Sequence, residues 1–119
     1  MGKSSPTQRS KAWLEDQGYE VEITERWNPW AKVRHDLFGI ADLLAVHKVR
    51  PLDTLAVQTT TYAHMRERQE KILASPNKPL LILAGWKIVV HGWKKPTKKT
   101  RTWTLRAIDI DAQEVTLEP

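Results

Sequence analysis

A nearly continuous stretch of apolar residues, FGIADLLAV at positions 38–46, constrains the fold of this chain more than any other segment. Its length is that of a β-strand, and a run without polar alternation is typical of a strand that is covered on both faces. One charged residue, Asp42, interrupts it. Because a buried carboxylate is costly unless it is paired or binds a cation, Asp42 is a candidate site residue.

The segments on either side of this run predict an α/β fold. Residues 6–18 have the features of a helix, with Pro6 in the first turn and Gly18 at the C-terminal end. Residues 19–26 alternate as in a half-buried strand, and residues 54–60, TLAVQTT, are rich in β-branched side chains. Residues 62–75 predict a second helix, and residues 80–84, 88–93 and 103–110 predict three further strands. A meander followed by a crossover helix implies a mixed sheet with helices packed on it.

Length and composition restrict the class of protein. The 119 residues predict a single domain over residues 1–119, and the lack of cysteine excludes disulfides, thiolate zinc sites and cysteine nucleophiles. A net charge of +5 favours a polyanionic partner, nucleic acid first, although solubility alone explains the same balance. The first residues contain no apolar run, and the longest apolar stretch, 79–86, is too short to span a bilayer. We therefore expect a cytoplasmic protein with no membrane association.

The strand predicted at 54–60 carries a second unexpected polar group. Gln58 and Thr60 stand where further apolar residues are expected, and they share one face because side chains alternate along a strand. If the short turn pairs the two strands in antiparallel fashion, Asp42 and Gln58 lie side by side. Carboxylate and amide oxygens are ligands that Mg²⁺ prefers. From the residues alone, both a metal site and a buried hydrogen-bonded pair without metal remain open.

The segments FGIADLLAV and LAVQTT, joined by a short turn, resemble the catalytic core of the PD-(D/E)XK nucleases, especially the Holliday-junction-resolvase-like or phage-type branch with Gln in place of the motif acid. The resemblance covers residues 6–86 and implies a restriction-endonuclease-like α/β (α+β) core: helix, three-strand meander, helix and strand, here followed by a C-terminal β extension. In this resemblance, Asp42 takes the motif position of the metal-binding Asp, Gln58 that of the second acid and Thr60 that of the lysine. The resemblance also implies Thr59 as a metal ligand beside Asp42 and Gln58.

The departures from that motif predict helper residues. An Asp–Gln site has one negative charge fewer than an Asp–Glu site, so we expect a further carboxylate, and Asp36 lies six residues before Asp42. A turn or capping role is the alternative for Asp36. His64, Arg68 and Lys71 recur at i, i+4 and i+7 on the second helix, to which the family tolerates relocation of its lysine. We predict Lys71 or Arg68 as the replacement cation, with a solvated helix face as the alternative.

Further basic and aromatic residues point to nucleic acid. The most basic stretch is a loop between Trp93 and Trp103 that contains Lys94, Lys95, Lys98, Lys99 and Arg101. It predicts contacts with a phosphate backbone, together with His64 and Arg68, and the alternative is a solvated turn that protects strand edges. Trp27 and Trp30 flank a proline loop, where they either stack on unpaired bases or hold the loop in place.

These expectations together predict a divalent-metal-dependent endonuclease, using Mg²⁺ or Mn²⁺, that hydrolyses DNA phosphodiester bonds and acts on branched or phage DNA. The alternative is a catalytically weakened nucleic-acid-binding module on the same fold. A third hypothesis is a protein-interaction factor that binds no nucleic acid. The resemblance also implies a homodimer. If the chain is phage-encoded, we expect it in the host cytoplasm.

Overall fold

Five strands form one mixed sheet within residues 5–110, the part of the chain that the computed structural model describes. The elements in chain order are α1 (Pro6–Asp16), β1 (Tyr19–Ile23), β2 (Arg26–Asn28), β3 (Val33–His35), β4 (Leu43–His47), β5 (Thr54–Thr61), a 3-10 turn (Tyr62–His64), α2 (Met65–Leu73), α3 (Lys78–Leu83), β6 (Lys87–Lys94) and β7 (Thr104–Asp109). None of the helices within these residues is long and apolar enough to cross a bilayer.

The sheet has the strand order β1–β4–β5–β6–β7. Neighbouring strands are antiparallel except β5 and β6, which are parallel and are connected through α2 and α3. The predicted meander followed by a helical crossover is therefore confirmed, and the chain is a mixed α/β protein. Strands β2 and β3 pair only with each other and form a hairpin between β1 and β4.

Helices cover both faces of the sheet. On one face, Leu14 of α1 packs in a buried cluster with residues from β1, β4, β5 and β6. On the other face, Met65 and Ile72 of α2 and Leu81 of α3 pack against Ala56 and Val90. Burial of such side chains stabilises the domain by about 25 cal/mol per Å² of apolar surface removed from water. The central strand β5 is consequently buried over residues 55–60.

Two side chains in the N-terminal half of α1, Ser10 and Thr7, hold the helix to the sheet by hydrogen bonds. The Trp93 indole donates to the Ser10 hydroxyl at 2.9 Å, and the same hydroxyl lies 2.9 Å from His91 Nδ1. Burial lowers the pKa of His91 to about 4, so the ring is neutral at pH 7 and Nδ1 can accept a hydrogen bond from the Ser10 hydroxyl. Near the start of the helix, Thr7 Oγ1 lies 2.8 Å from Thr59 Oγ1. The first turn of α1 therefore sits beside the C-terminal half of β5.

Several predicted elements differ from the observed ones. The strand predicted at 80–84 is wrong: this segment is the helix α3, which has a proline in its first turn. Short apolar runs do not distinguish a strand from a buried helix by periodicity. The strand predicted at 38–46 is also too long. It begins only at Leu43, because the chain turns at Phe38 and Gly39, where φ is 55° and 70°. The strand predicted at 19–26 ends at Ile23, and Arg26 begins the separate strand β2. The other predicted helices and strands are present with shifted ends.

Candidate metal and nucleic-acid site

Asp42 lies immediately before β4, and its backbone is hydrogen-bonded to β5 on one side and to the residue that follows β1 on the other. Its backbone N–H donates to the Val57 carbonyl at 2.9 Å, and its carbonyl accepts from the Thr24 N–H at 2.8 Å. The side chain is 4% exposed. The backbone thus continues the sheet pairing at this position, although regular strand geometry starts one residue later. The carboxylate is fixed in place by the sheet rather than carried on a free loop.

The structure brings Asp42 and Gln58 together through the antiparallel pairing of Leu43 with Val57. Asp42 Oδ2 accepts hydrogen bonds from Gln58 Nε2, from the Thr59 N–H at 2.8 Å and from the Thr59 hydroxyl at 3.0 Å. Gln58 is 2% exposed, and its Oε1 accepts no hydrogen bond from the described residues. The amide nitrogen rather than the oxygen faces Asp42, and a half-turn of the amide exchanges the two.

Three carboxyl groups meet at this point. Glu25, Asp36 and Asp42 each offer one carboxylate oxygen, and these oxygens all lie within 4.8 Å of one another. Glu25 directly precedes β2 and Asp36 directly follows β3, and Arg26 pairs with His35 at the base of the hairpin. The hairpin therefore brings together two of the three acids. The position of Asp36 near Asp42 agrees with the sequence-based prediction, whereas Glu25 was not among the predicted site residues. We name these three residues the acidic cluster.

The negative charges of the acidic cluster disfavour one another. Partial burial, the charge of Asp42 and a hydrogen bond with its carboxyl group raise the pKa of Asp36 to about 6, and the charge of Lys71 opposes this rise. Burial and the charge of Asp42 also raise the pKa of Glu25, while Arg34, 3.2 Å away, opposes that shift. Either a proton or a cation would therefore relieve the repulsion within the cluster.

The acidic cluster opens into a cleft of about 530 Å³. Besides the three acids, its walls include the polar side chains of Gln58, Thr59 and Thr60 and the basic side chains of Arg34, His64, Arg68 and Lys71. The predicted basic stripe, in which His64 belongs to the 3-10 turn before α2, thus lines the same cleft as the acids. His64 also lies 2.7 Å from Glu67 Oε2 on its own helix turn. The residues of the predicted motif and of the predicted basic stripe share one cavity that is open to solvent.

The basic loop between β6 and β7 leaves the sheet at the edge where β5 ends. Thr61 pairs with Trp93 in the parallel β5–β6 ladder, so Lys94 lies one residue beyond the end of β5. Lys94 Nζ lies 5.7 Å from the centre of the Tyr62 ring, which adjoins the start of α2. The basic residues of the loop, all exposed, are Lys94, Lys95, Lys98, Lys99 and Arg101. The loop does not line the cleft itself but extends the positive surface along the same edge of the sheet.

The raised pKa of Asp36 predicts a stability that depends on pH and on metal. Below the ordinary carboxyl pKa, Asp36 is protonated in both the folded and the unfolded chain, so its burial costs nothing there. As the pH rises from 3.8 to about 6, the unfolded chain releases this proton while the folded chain still holds it, so the folded state loses stability, and the loss is complete above about 6. Thermal melts without metal should therefore show a higher midpoint at about pH 5 than at about pH 7.5.

The variant Asp36→Asn serves as the control for this experiment, since it removes the titrating group and should flatten the dependence on pH. Saturating Mn²⁺ should likewise raise the midpoint at the higher pH far more than at the lower pH, because the cation and the proton compete for the same carboxylates. A midpoint with the same pH slope in Asp36→Asn as in the parent chain would contradict this account.

Comparisons of the chain with protein-family models, with curated proteins and with solved structures find no match. The chain is a mixed α/β protein in which one cleft is lined by a partly buried acidic cluster and by basic side chains. Function is therefore inferred from the geometry and chemistry of this site.

Proposed function

We propose that the chain is a divalent-metal-dependent endonuclease that hydrolyses DNA phosphodiester bonds, with an active site of the PD-(D/E)XK type. One observation carries this proposal: the buried Asp42–Gln58 pair lies with Asp36 and Glu25 in a cleft that basic side chains also line. Buried Gln58 Oε1 has no hydrogen-bond partner among the described residues, and a cation or an ordered water would satisfy this oxygen. A hydrogen-bonded core pair without further function would not require the two additional acids.

The donor set fits a hard cation such as Mg²⁺ or Mn²⁺. Asp42, Asp36 and Glu25 would supply carboxylate oxygens, and Gln58 would supply its amide oxygen after a half-turn. Thr59 orients the Asp42 carboxylate through its backbone N–H and its hydroxyl. A metal held there would polarise a phosphate oxygen and lower the pKa of a bound water. The second carboxylate that the Asp–Gln motif lacks is thus replaced by two acids from the base of the hairpin.

The basic side chains that line the cleft would supply the charge that Thr60 cannot. Thr60 is buried and neutral at the position where the family motif has lysine. The charge of Lys71 acts on Asp36, so Lys71 lies within electrostatic reach of the acidic cluster. We assign to Lys71 the stabilisation of the negative charge that develops on the phosphate. Arg68 and His64, which line the same cleft, hold the neighbouring phosphates.

A cleavage assay tests this proposal. The purified chain is incubated with linear duplex, single-stranded and four-way-junction DNA in Mg²⁺, in Mn²⁺ and in EDTA. We expect cleavage of at least one substrate with either metal and none in EDTA. We also expect binding to weaken steeply with added salt, because several lysine and arginine side chains displace counterions from the DNA.

The alternative is a nucleic-acid-binding module on the same fold that has lost catalysis. Thr60 and Gln58 favour it, since neither residue carries the charge that the family motif has at its position. Salt-sensitive DNA binding without cleavage in any metal would support this module and would contradict the endonuclease. A chain that binds no nucleic acid even at low salt would contradict both.

A further inference from the structure

The β2–β3 hairpin exposes two tryptophans beside the acidic cluster. Trp27 is 58% exposed and Trp30 is 94% exposed. Large aromatic side chains are normally buried to a high degree, so two exposed tryptophans on one short hairpin indicate a binding surface. The hairpin pairs with no strand of the main sheet in the described chain, so both side chains are presented outward. Of the two roles predicted for them, holding the loop in place does not suit Trp30.

The hairpin is held in a defined shape. Asn28 Oδ1 accepts hydrogen bonds from the backbone N–H groups of Trp30 and Ala31, at 3.0 and 3.1 Å, and this turn fixes the tip. Trp27 lies opposite Arg34 in the β2–β3 ladder. The backbone under both tryptophans is thereby ordered before any partner binds. A pre-ordered aromatic surface loses little conformational entropy on binding.

The charge of the hairpin suits a polyanion. Residues 26–35, RWNPWAKVRH, contain Arg26, Lys32 and Arg34 and no acidic residue. All three cations are exposed, and the tryptophans lie between them in the sequence. Cations that track a phosphate backbone, interleaved with aromatic rings on which bases stack, are the combination that proteins use to bind single strands. A purely apolar partner would gain nothing from these cations.

The hairpin also leads into the proposed active site. Arg34 Nη1 lies 3.2 Å from Glu25 Oε1 of the acidic cluster. Asp36 lines the main cleft and also a second cleft of about 360 Å³ at the base of the hairpin, whose walls include Arg26, His35 and the half-exposed ring of Phe38. A nucleic-acid strand that lies along the hairpin can therefore reach the acidic cluster.

We propose that the β2–β3 hairpin binds unpaired nucleotides by stacking their bases on Trp27 and Trp30, and so directs the metal site to substrates with single-stranded or branched segments. The consequence for cleavage rests on the proposed endonuclease function. The binding step does not, because stacking requires neither the metal nor catalysis.

The test measures binding in a background that does not cleave. Full-length Asp42→Asn is titrated into a fluorescent 15-mer single strand and into a blunt duplex of the same sequence, followed by anisotropy at fixed salt. Adding Trp27→Ala and Trp30→Ala together should weaken single-strand binding at least about tenfold, as the loss of a base–aromatic stack does. Duplex binding should change less than about threefold, since its bases stay stacked on one another.

Leu52→Ala is the matched control. Leu52 is 94% exposed, as Trp30 is, but it lies in the β4–β5 turn at the opposite end of β5. The variant Leu52→Ala should leave both affinities unchanged.

Equal single-strand affinity with and without the tryptophans would overturn the inference and would assign them to a protein or lipid surface. An equal loss on single strand and duplex would overturn it as well. If the parent chain never cleaves but the double variant still loses single-strand binding, the endonuclease proposal fails and this inference stands.

Discussion

Replacing Asp42 by asparagine is expected to slow DNA cleavage by at least about a thousandfold at saturating metal, because the several kcal/mol of charge stabilisation that a bound metal supplies are lost. Asp42 is the most buried member of the acidic cluster and the only one that the sheet holds on both sides. Its carboxylate is also the one that Thr59 and Gln58 orient. Single-turnover cleavage in Mn²⁺ measures the effect.

The fold should survive this change. Asparagine has the same shape, and its carbonyl oxygen can accept the hydrogen bonds that Asp42 Oδ2 accepts from Gln58 and Thr59. The substitution also removes one negative charge from a repelling cluster. We therefore expect the metal-free variant to melt at the same temperature as the parent chain or higher, and to bind DNA at least as tightly.

Asp53→Asn is the matched control for Asp42→Asn. Asp53 also directly precedes a strand, but at the opposite end of β5, where it accepts from the Tyr19 hydroxyl at 2.9 Å and pairs with Arg50 at 2.8 Å. Its loss should lower stability and leave the cleavage rate of the folded protein unchanged. An Asp42→Asn variant that cleaves as fast as the parent chain would contradict the assigned role of Asp42.

Replacing Lys71 by glutamine is expected to give the second largest effect, a loss of about 10²–10³ in turnover. The reason is that the charge of Lys71 acts on Asp36 of the acidic cluster, while Thr60 offers no charge at the motif position. If Lys71 stabilises the developing charge on the phosphate, its loss lowers kcat and leaves DNA affinity nearly unchanged. Single-turnover rates at saturating protein separate the two quantities.

Arg66→Gln is the matched control for Lys71→Gln. Arg66 lies on the same helix but lines a different groove, next to Arg106 of β7. Both substitutions remove one positive charge from α2, so any general electrostatic effect on DNA binding should be similar. Only Lys71→Gln should lose turnover. Equal turnover in the two variants would contradict the assignment of Lys71.

The pairing of Asp42 with Gln58 could be predicted because it depends on local rules. Side chains alternate along a strand, and a short turn between two strands favours antiparallel pairing. The mixed sheet followed from the order of elements in the same way. The segment 80–84 could not be assigned correctly, since a short apolar run suits both a strand and a helix and tertiary packing decides between them.

Glu25 could not be predicted as a site residue, because its place in the acidic cluster depends on contacts with residues that lie further along the chain. The alternation over residues 19–26 suggested one strand, whereas β1 ends at Ile23 and β2 begins at Arg26, with Glu25 between them. Only the closing of the β2–β3 hairpin brings Glu25 next to Asp36. The orientation of the Gln58 amide likewise depends on the donors and acceptors that surround it in space.

The most direct test of the central claim is the anomalous diffraction of a crystal soaked in Mn²⁺. The account predicts one manganese ion bound by Asp42 and by at least one of Asp36 and Glu25, with the Gln58 amide turned so that Oε1 faces the ion. A crystal in which manganese occupies other sites, while Asp42 keeps its hydrogen bond from Gln58 Nε2 and no ion lies within the acidic cluster, would contradict it.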